Sequence, residues 1–473
     1  MGGPREGLFT GGGVALLMKP GEQDAVFRYV DERFDDFLAD LTAYASVPTI
    51  SAQGKGFGEG AAATVRLLGR HGVVARRLPV ANGPDLVVGN VVEDPELPTL
   101  AMYNHYDVQP VDPIHEWESE PFRPEVRDGA LYGRGVADTK GNTASQCLAL
   151  AAIRETVGSL PVNLRFVVEG EEEMGSPHLL PFADAHPEVF RADGATIEGG
   201  DHNEAGIPIF YMGSKGILSV EMTVRTAAVD QHSSIATVVP NAAWRLIHAL
   251  NTLRDADGRI TIKGFYDGAQ KPMREELAYL RRNTWDPKDW ERTYGTKLLV
   301  QGTRLDRQKA YVYRNTCTID GFWSGYTGEG HKTVNPAVAH AKIDFRLIPG
   351  QRPEAIYKKL LAHLKAKGFK DVAVEKHSVF EPAATPATAG ISQAIVAATK
   401  QVYGREPNML PWMAGSSTTW YFTRVGTPAV AGPGVGWTGE RIHAPNENIR
   451  LADARNAIKT TAAMVLEFAT RAR

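Results

Sequence analysis

The stretch Val162-Asn163-Leu164-Arg165-Phe166-Val167-Val168-Glu169-Gly170-Glu171-Glu172-Glu173-Met174-Gly175-Ser176 decides the fold. Val162, Leu164, Phe166 and Val168 alternate with their neighbours, which is the period of a strand. That strand runs straight into four acids within five positions, the place where side chains converge above an α/β sheet. Upstream lie a helical stretch over about 142–157 and short apolar runs at 86–92 and 99–105. Strands alternating with helices predict a mainly parallel sheet flanked by helices.

Further out, apolar positions recur at helical spacing from Val26 through Val30, Phe34, Phe37, Leu38 and Leu41, until Pro48 terminates the helix. After Gly213 the pattern changes. A strand at 217–225, a helix at 241–254, polar helical stretches to about Tyr294 and strands at 316–322 and 337–347 follow. A helix with Ile356, Leu360, Leu361 and Leu364 on one face and a strand at 372–375 complete a separate α+β unit. The segment 379–390, with Pro382 and Pro386, has linker composition, and a closing helix covers 451–468. The expected division is a flexible N-terminal extension over 1–20, a catalytic domain from 21–214 and 379–473, and an inserted domain over 215–378. Met18 is a candidate initiator.

The composition narrows the function. Lysine plus arginine number 52 against 55 acids, a net charge of −3, and no long basic run appears, so no nucleic-acid partner is expected. No stretch approaches the roughly 20 apolar residues of a membrane span, and none is expected. Cys147 and Cys317 are too few for a disulfide framework or a thiolate zinc site, and point to a reducing, cytoplasmic setting. Any metal must therefore use histidines and carboxylates.

Five short stretches offer such groups. Tyr103-Asn104-His105-Tyr106-Asp107 ends an apolar strand, with a histidine and an aspartate on one side. His105 can bind a metal while Asp107 fixes its tautomer. In 133–141, three glycines surround Asp138 at a helix start, where a carboxylate caps the helix or bridges two cations. Among Glu169, Glu171, Glu172 and Glu173, adjacent acids repel unless a cation or proton relieves them, so one can bind metal while its neighbour serves as base. Glu198-Gly199-Gly200-Asp201 follows a further strand, and His443-Ala444-Pro445-Asn446-Glu447 stands near the C-terminus. Each alone has an ordinary reading as a turn, cap or solvated loop.

Together, and in this order, the five resemble the dinuclear zinc metallopeptidase and deacylase superfamily. That superfamily includes carnosinase-type dipeptidases, bacterial glutamate carboxypeptidases, aminoacylase and acetylornithine deacetylase. The resemblance runs from about residue 25 to the C-terminus. It implies that His105 and Glu198 bind one zinc, that Glu173 and His443 bind the other, and that Asp138 bridges them. Asp201 stands as the alternative to Glu198. Asp107 would orient His105, and Glu172 would be the general base acting on a hydroxide held by the metals. Cobalt or manganese could replace either of the two zinc ions.

The resemblance extends to the inserted domain, which would be a lid and dimerisation domain. Asp230-Gln231-His232-Ser233 resembles a lid motif whose His232 would reach the partner subunit's site in a homodimer, although Ser234 replaces the usual glycine. Arg346 would clamp a substrate carboxylate, with Thr333 beside it. Gly415 and Ser416 match a substrate-binding loop, and the preceding Trp412 suggests a bulkier, more apolar pocket. No G-x-S-x-G elbow surrounds Ser416 or Ser417, which argues against a serine nucleophile. The function implied is hydrolysis of the amide bond in dipeptides or small peptides with a free C-terminal carboxylate. The alternative is deacylation of N-acyl amino acids at the same metals.

Overall fold

The strand anticipated at Val162 is Asn163–Glu169, inside a nine-stranded mixed sheet. The computed structural model describes residues 21–472, so the expected extension over 1–20 lies outside the described residues. Across the sheet come Val74–Leu78, Leu86–Val91, Asn163–Glu169, Thr99–His105, Gly194–Ile197, Ala429–Ala431, Pro208–Tyr211 and Asn408–Leu410, with Asp201–His202 beside Pro208–Tyr211. The central run from Asn163–Glu169 to Ala429–Ala431 is parallel, as alternating strands and helices require. Antiparallel pairings flank it.

Both faces of this sheet are covered. Along Thr99–His105, Leu100 and Met102 join one core cluster while Ala101 and Tyr103 join another. The first cluster includes the helices Lys140–Val157, Gly390–Tyr403 and Leu451–Ala469; the second includes the short helices Leu179–Ala185 and Thr419–Thr423. The N-terminal helix expected as one piece is two, Glu22–Glu32 and Phe34–Ala45. Arg33, at φ −108° and ψ 15°, breaks it, and its N–H closes the first helix on Tyr29 O. The bend lets Val26, Val30, Phe34 and Phe37 all enter the same core.

A second sheet, wholly antiparallel, orders Thr318–Ser324, Val338–Leu347, Gly216–Arg225 and Val372–Phe380. Leu218, Val220, Met222 and Val224 alternate inward to meet the helices Ala242–Leu250 and Pro353–Ala366 in a core of their own. The helical stretches expected after this point pack elsewhere. Arg274–Arg282 and Arg304–Tyr313 place Leu280 and Val312 against Ile209, Leu410 and Trp412, at the far edge of the large sheet.

The proline-containing segment 379–390 is tied down rather than free. Ala383–Ala384 pairs with Gly213–Ser214, so both crossings between the two sheets run side by side. A Cβ on Gly213 would lie 2.1 Å from Ala383 O, and only glycine permits that approach. No helix among the described residues is long and apolar enough to cross a membrane.

Candidate metal centre

Parallel strands end on the same edge of a sheet, and that edge collects the candidate ligands. His105 is level with Glu169 across one pairing, so the acid run after Glu169 begins beside it. Gly194–Ile197 runs on the other side and delivers Glu198 one residue past its end. The loop 133–139 adds Asp138 just before the helix Lys140–Val157, with Gly135 at φ 85° making the turn. The strand Asn448–Arg450 pairs with Ala130–Tyr132, which returns the His443 loop to the same place.

His105 Nε2 lies 3.0 Å from Asp138 Oδ1 and 3.5 Å from Glu198 Oε2. His443 Nε2 lies 3.0 Å from Asp138 Oδ2 and 3.1 Å from Glu173 Oε2. Each oxygen of Asp138 thus faces a different histidine. His105 Nδ1 faces Asp107 Oδ1 at 3.3 Å and Asp107 O at 3.0 Å, while the Asp107 carboxylate accepts the backbone N–H groups of Glu172 and Glu173. One aspartate therefore fixes both the histidine ring and the acid turn.

The acid run divides its labour. Glu169 accepts from Tyr103 Oη and Ser176 Oγ, and Glu171 pairs with His178. Glu172 and Glu173 are left to face the histidines. Ligand atoms of His105, Asp138 and Glu173 come within 4.8 Å of one another, as do those of His105, Glu172 and Glu198.

Five carboxylates converge here on two histidines, and no lysine or arginine forms an ion pair with them among the described residues. The protonation equilibria register the excess of negative charge. Hydrogen bonds to Asp138 and Glu173 push His443 up to about 10. His105 is raised well above its usual value despite complete burial, chiefly by Glu198, Asp107 and Asp138. Burial, with Asp138, Glu173 and Glu169 close by, lifts Glu172 to about 8. Burial raises Glu198 as well, and its Oε2 accepts no hydrogen bond. An orphaned carboxylate oxygen among unneutralised acids is a donor set that fits divalent cations.

A cavity of about 170 Å³ opens beside the cluster, lined among others by Asp138, Glu172, Glu198, Asp201, Ser416 and Glu440. Arg346, on the strand Val338–Leu347 of the second sheet, donates from Nη1 to Ser416 Oγ at 3.0 Å. The model of peptidase family M20/M25/M40 matches residues 101–467. The chain belongs to that family.

Relatives and solved structures agree with it. The cysteinylglycine-S-conjugate dipeptidase of Corynebacterium striatum is 30% identical over 383 residues, 79% of this chain and 82% of that one. The M20 family metallo-carboxypeptidase of Sulfolobus solfataricus superposes with a TM-score of 0.86 at 33% identity, over 92% of this chain and 99% of that one. Human carnosine dipeptidase 1 gives 0.78 at 25% identity, over 96% and 100% of the two chains.

In this family member, the remaining residues singled out from sequence separate into two groups. Ser416 lines the cavity, and Gly415 precedes it with its O accepting the backbone N–H of Lys215. His232 and Thr333 stand instead on an exposed corner of the second sheet's unit, 3.4 Å from each other. Ser234 takes over the turn there, because its N–H and hydroxyl both meet His232 Nδ1, at 3.1 and 2.8 Å.

One expectation changes. Trp412 does not line the pocket: it is fully buried, donates from Nε1 to Val312 O at 2.6 Å and packs edge-on against Tyr313. Met413, the next residue, faces the cavity. Asp201, the alternative to Glu198, forms no ion pair with either histidine among the described residues and sits with Glu440 beside Gly436 at the cavity. Burial, helped by Asp138, lifts Asp201 to about 6, and burial with Asp201 nearby raises Glu440 well above its usual value. Glu440 carried no signal in the sequence beyond lying three residues before His443.

Proposed function

We propose that this chain is a two-metal dipeptidase that cuts the amide bond of a small substrate carrying a free C-terminal carboxylate. The observation that carries the reading is the pair of ligand trios sharing Asp138: His105 with Glu198, and His443 with Glu173. Donor atoms around a tetrahedral cation, with bonds of about 2.0–2.1 Å, stand about 3.3 Å apart. The spacings of 3.0 to 3.5 Å within the trios agree with that value. Zinc suits such ligands, and cobalt or manganese would also be accepted. Once bound, the two cations would polarise the scissile carbonyl and bring the pKa of a shared water toward about 7.

The chain's own groups do the rest. Asp107 holds the His105 ring in place. Glu172, whose carboxylate has no hydrogen-bond partner among the described residues, takes a proton from the attacking water and returns it to the leaving nitrogen. Arg346, with Ser416 and Gly415, receives the substrate carboxylate, since a guanidinium can grip it bidentately, and Thr333, which stands beside His232, would contribute to the neighbouring site with it. Residues 215–378 act as a lid. His232 Nδ1 accepts from Ser234 N–H, so the neutral ring carries its proton on Nε2 and can donate to a developing oxyanion. Because His232 lies outside its own cavity, we assign it to the neighbouring site of a homodimer. The exposed Ile319, Phe322 and Trp323 on the edge strand Thr318–Ser324 would meet the partner.

The named relatives favour a peptide over an N-acyl amino acid. Asp201 and Glu440, which line the same cavity as Ser416, favour it too, because they would attract a free α-ammonium group. The unpaired Cys147 and Cys317 suit a cytoplasmic enzyme. Mass spectrometry of matched dipeptides and N-acyl amino acids, incubated with metal-loaded protein, tests the whole. Chelator-sensitive cleavage of dipeptides alone is expected; intact dipeptides beside cleaved acyl compounds would overturn the reading.

A further inference from the structure

Glu447 closes the last sequence motif, yet no step above uses it. It is fully buried, and its carboxylate accepts four hydrogen bonds. Oε1 takes the backbone N–H groups of Ala137 and Asp138 at 2.9 and 3.1 Å. Oε2 takes Gly135 N–H at 3.1 Å and Arg134 Nη1 at 2.8 Å. The Glu447 backbone carbonyl also accepts from Gly133 N–H at 3.0 Å, extending the pairing of Asn448–Arg450 with Ala130–Tyr132. Five donors from 133–138 thus converge on one residue of the His443 loop.

Arg134 extends the connection. Its Nη2 donates to Pro110 O at 2.9 Å, just beyond the His105 and Asp107 turn. Three segments that each carry a candidate ligand are therefore joined behind the cluster by the Glu447 and Arg134 pair. The joint has strain to oppose. Arg441, His443 and Asn446 all hold positive φ, at 59°, 60° and 64°. Non-glycine residues in such conformations persist only where the surroundings over-determine them.

We propose that Glu447 is a positioning residue of the metal centre, holding the Asp138 and His443 loops in register so that both oxygens of Asp138 meet their histidines. All four of its acceptor sites are filled by donors, so the ionised form is the one that fits. An amide in its place would turn an NH₂ toward two N–H or guanidinium donors and lose both bonds. Groups supporting ligands in this way commonly control metal affinity by about 10- to 100-fold.

The inference rests on the metal-ligand reading, and the experiment separates the two. Competition titration of zinc and visible spectra of cobalt-substituted protein are recorded for the intact chain, for Glu447→Gln and for Glu447→Asp. Glu447→Gln is expected to bind zinc at least about tenfold more weakly and to alter the cobalt spectrum, with kcat falling more than KM rises. Glu447→Asp, which keeps the charge, should recover part of the affinity. Affinity within twofold of the parent and an unchanged cobalt spectrum in the folded variants would overturn the inference, even if thermal stability fell. If neither variant folds, amide exchange on the unaltered chain decides. Metal should slow exchange in 133–138 and 443–447 together, and protection of only one segment would refute the coupling. Failure of the unaltered chain to bind two metals would refute the ligand reading instead.

Discussion

Replacing Glu172 by glutamine keeps the side chain's size and removes its ability to take a proton. The structure sets the expected loss. A neighbouring carboxylate could substitute only if it were free, and the candidates are engaged: Glu169 by Tyr103 and Ser176, Glu171 by His178, Asp107 by two backbone N–H groups. Asp138, Glu173 and Glu198 face the histidines. With no substitute base, the loss belongs in the upper part of the usual range for general acid–base catalysis, about 10³- to 10⁴-fold in kcat. That corresponds to about 4–5.5 kcal/mol at 1.36 kcal/mol per decade. Steady-state dipeptide hydrolysis and elemental analysis should be measured on the same preparation. Two metals retained with kcat reduced to that extent is the expected pair of results. Because ligand atoms of His105, Glu172 and Glu198 also lie within 4.8 Å of one another, loss of one metal equivalent would show that Glu172 is a ligand. Near-normal turnover would remove it from catalysis altogether.

Removing the guanidinium in Arg346→Ala should raise KM about 10- to 100-fold with a smaller effect on kcat, since charge-assisted hydrogen bonds contribute about 1.5–3 kcal/mol; unchanged KM in steady-state assays would dismiss the clamp. Trp412→Ala should lower unfolding stability by about 3–5 kcal/mol in denaturant titration, whereas Trp412→Phe should cost about 1 kcal/mol and leave substrate preference as it was. A changed preference in Trp412→Phe would put the ring back in the pocket. Burial holds His202 below its ordinary pKa, with Nδ1 on Gly436 O and Nε2 on Tyr403 Oη. The unfolded chain therefore takes up that proton first as pH falls below about 6.5, and stability declines by up to about 1.4 kcal/mol per pH unit until the folded form titrates. His202→Gln should flatten this acid slope in chemical denaturation, and an equally steep slope would exclude His202 as its source.

Much of the site was legible because its chemistry is local. His105 and Asp107 lie two apart at a strand end, and Glu172 and Glu173 follow a strand whose alternation is plain, so their delivery to one sheet edge could be read directly. Other parts were not. Ala429–Ala431 and Asn408–Leu410 have three residues each, too few to show a period, yet they complete the large sheet. The break at Arg33 was hidden because the apolar spacing continues through it.

The sequence by itself determined the α/β class, the change of pattern after Gly213 and the residue types that could hold cations, because periodicity and donor chemistry are properties of short segments. Only the tertiary structure decided which acids face the histidines. Only the family resemblance set Glu172 and Glu173 apart from Glu169 and Glu171, and the physical difference arises where Tyr103, Ser176 and His178 occupy the latter two. It also decided that Trp412 is a core residue, that Asp201 keeps company with Glu440, and that Glu447 reaches back to 134–138. These outcomes depend on contacts between segments as much as 313 residues apart, and burial and hydrogen bonding at that range have no period for a sequence to display.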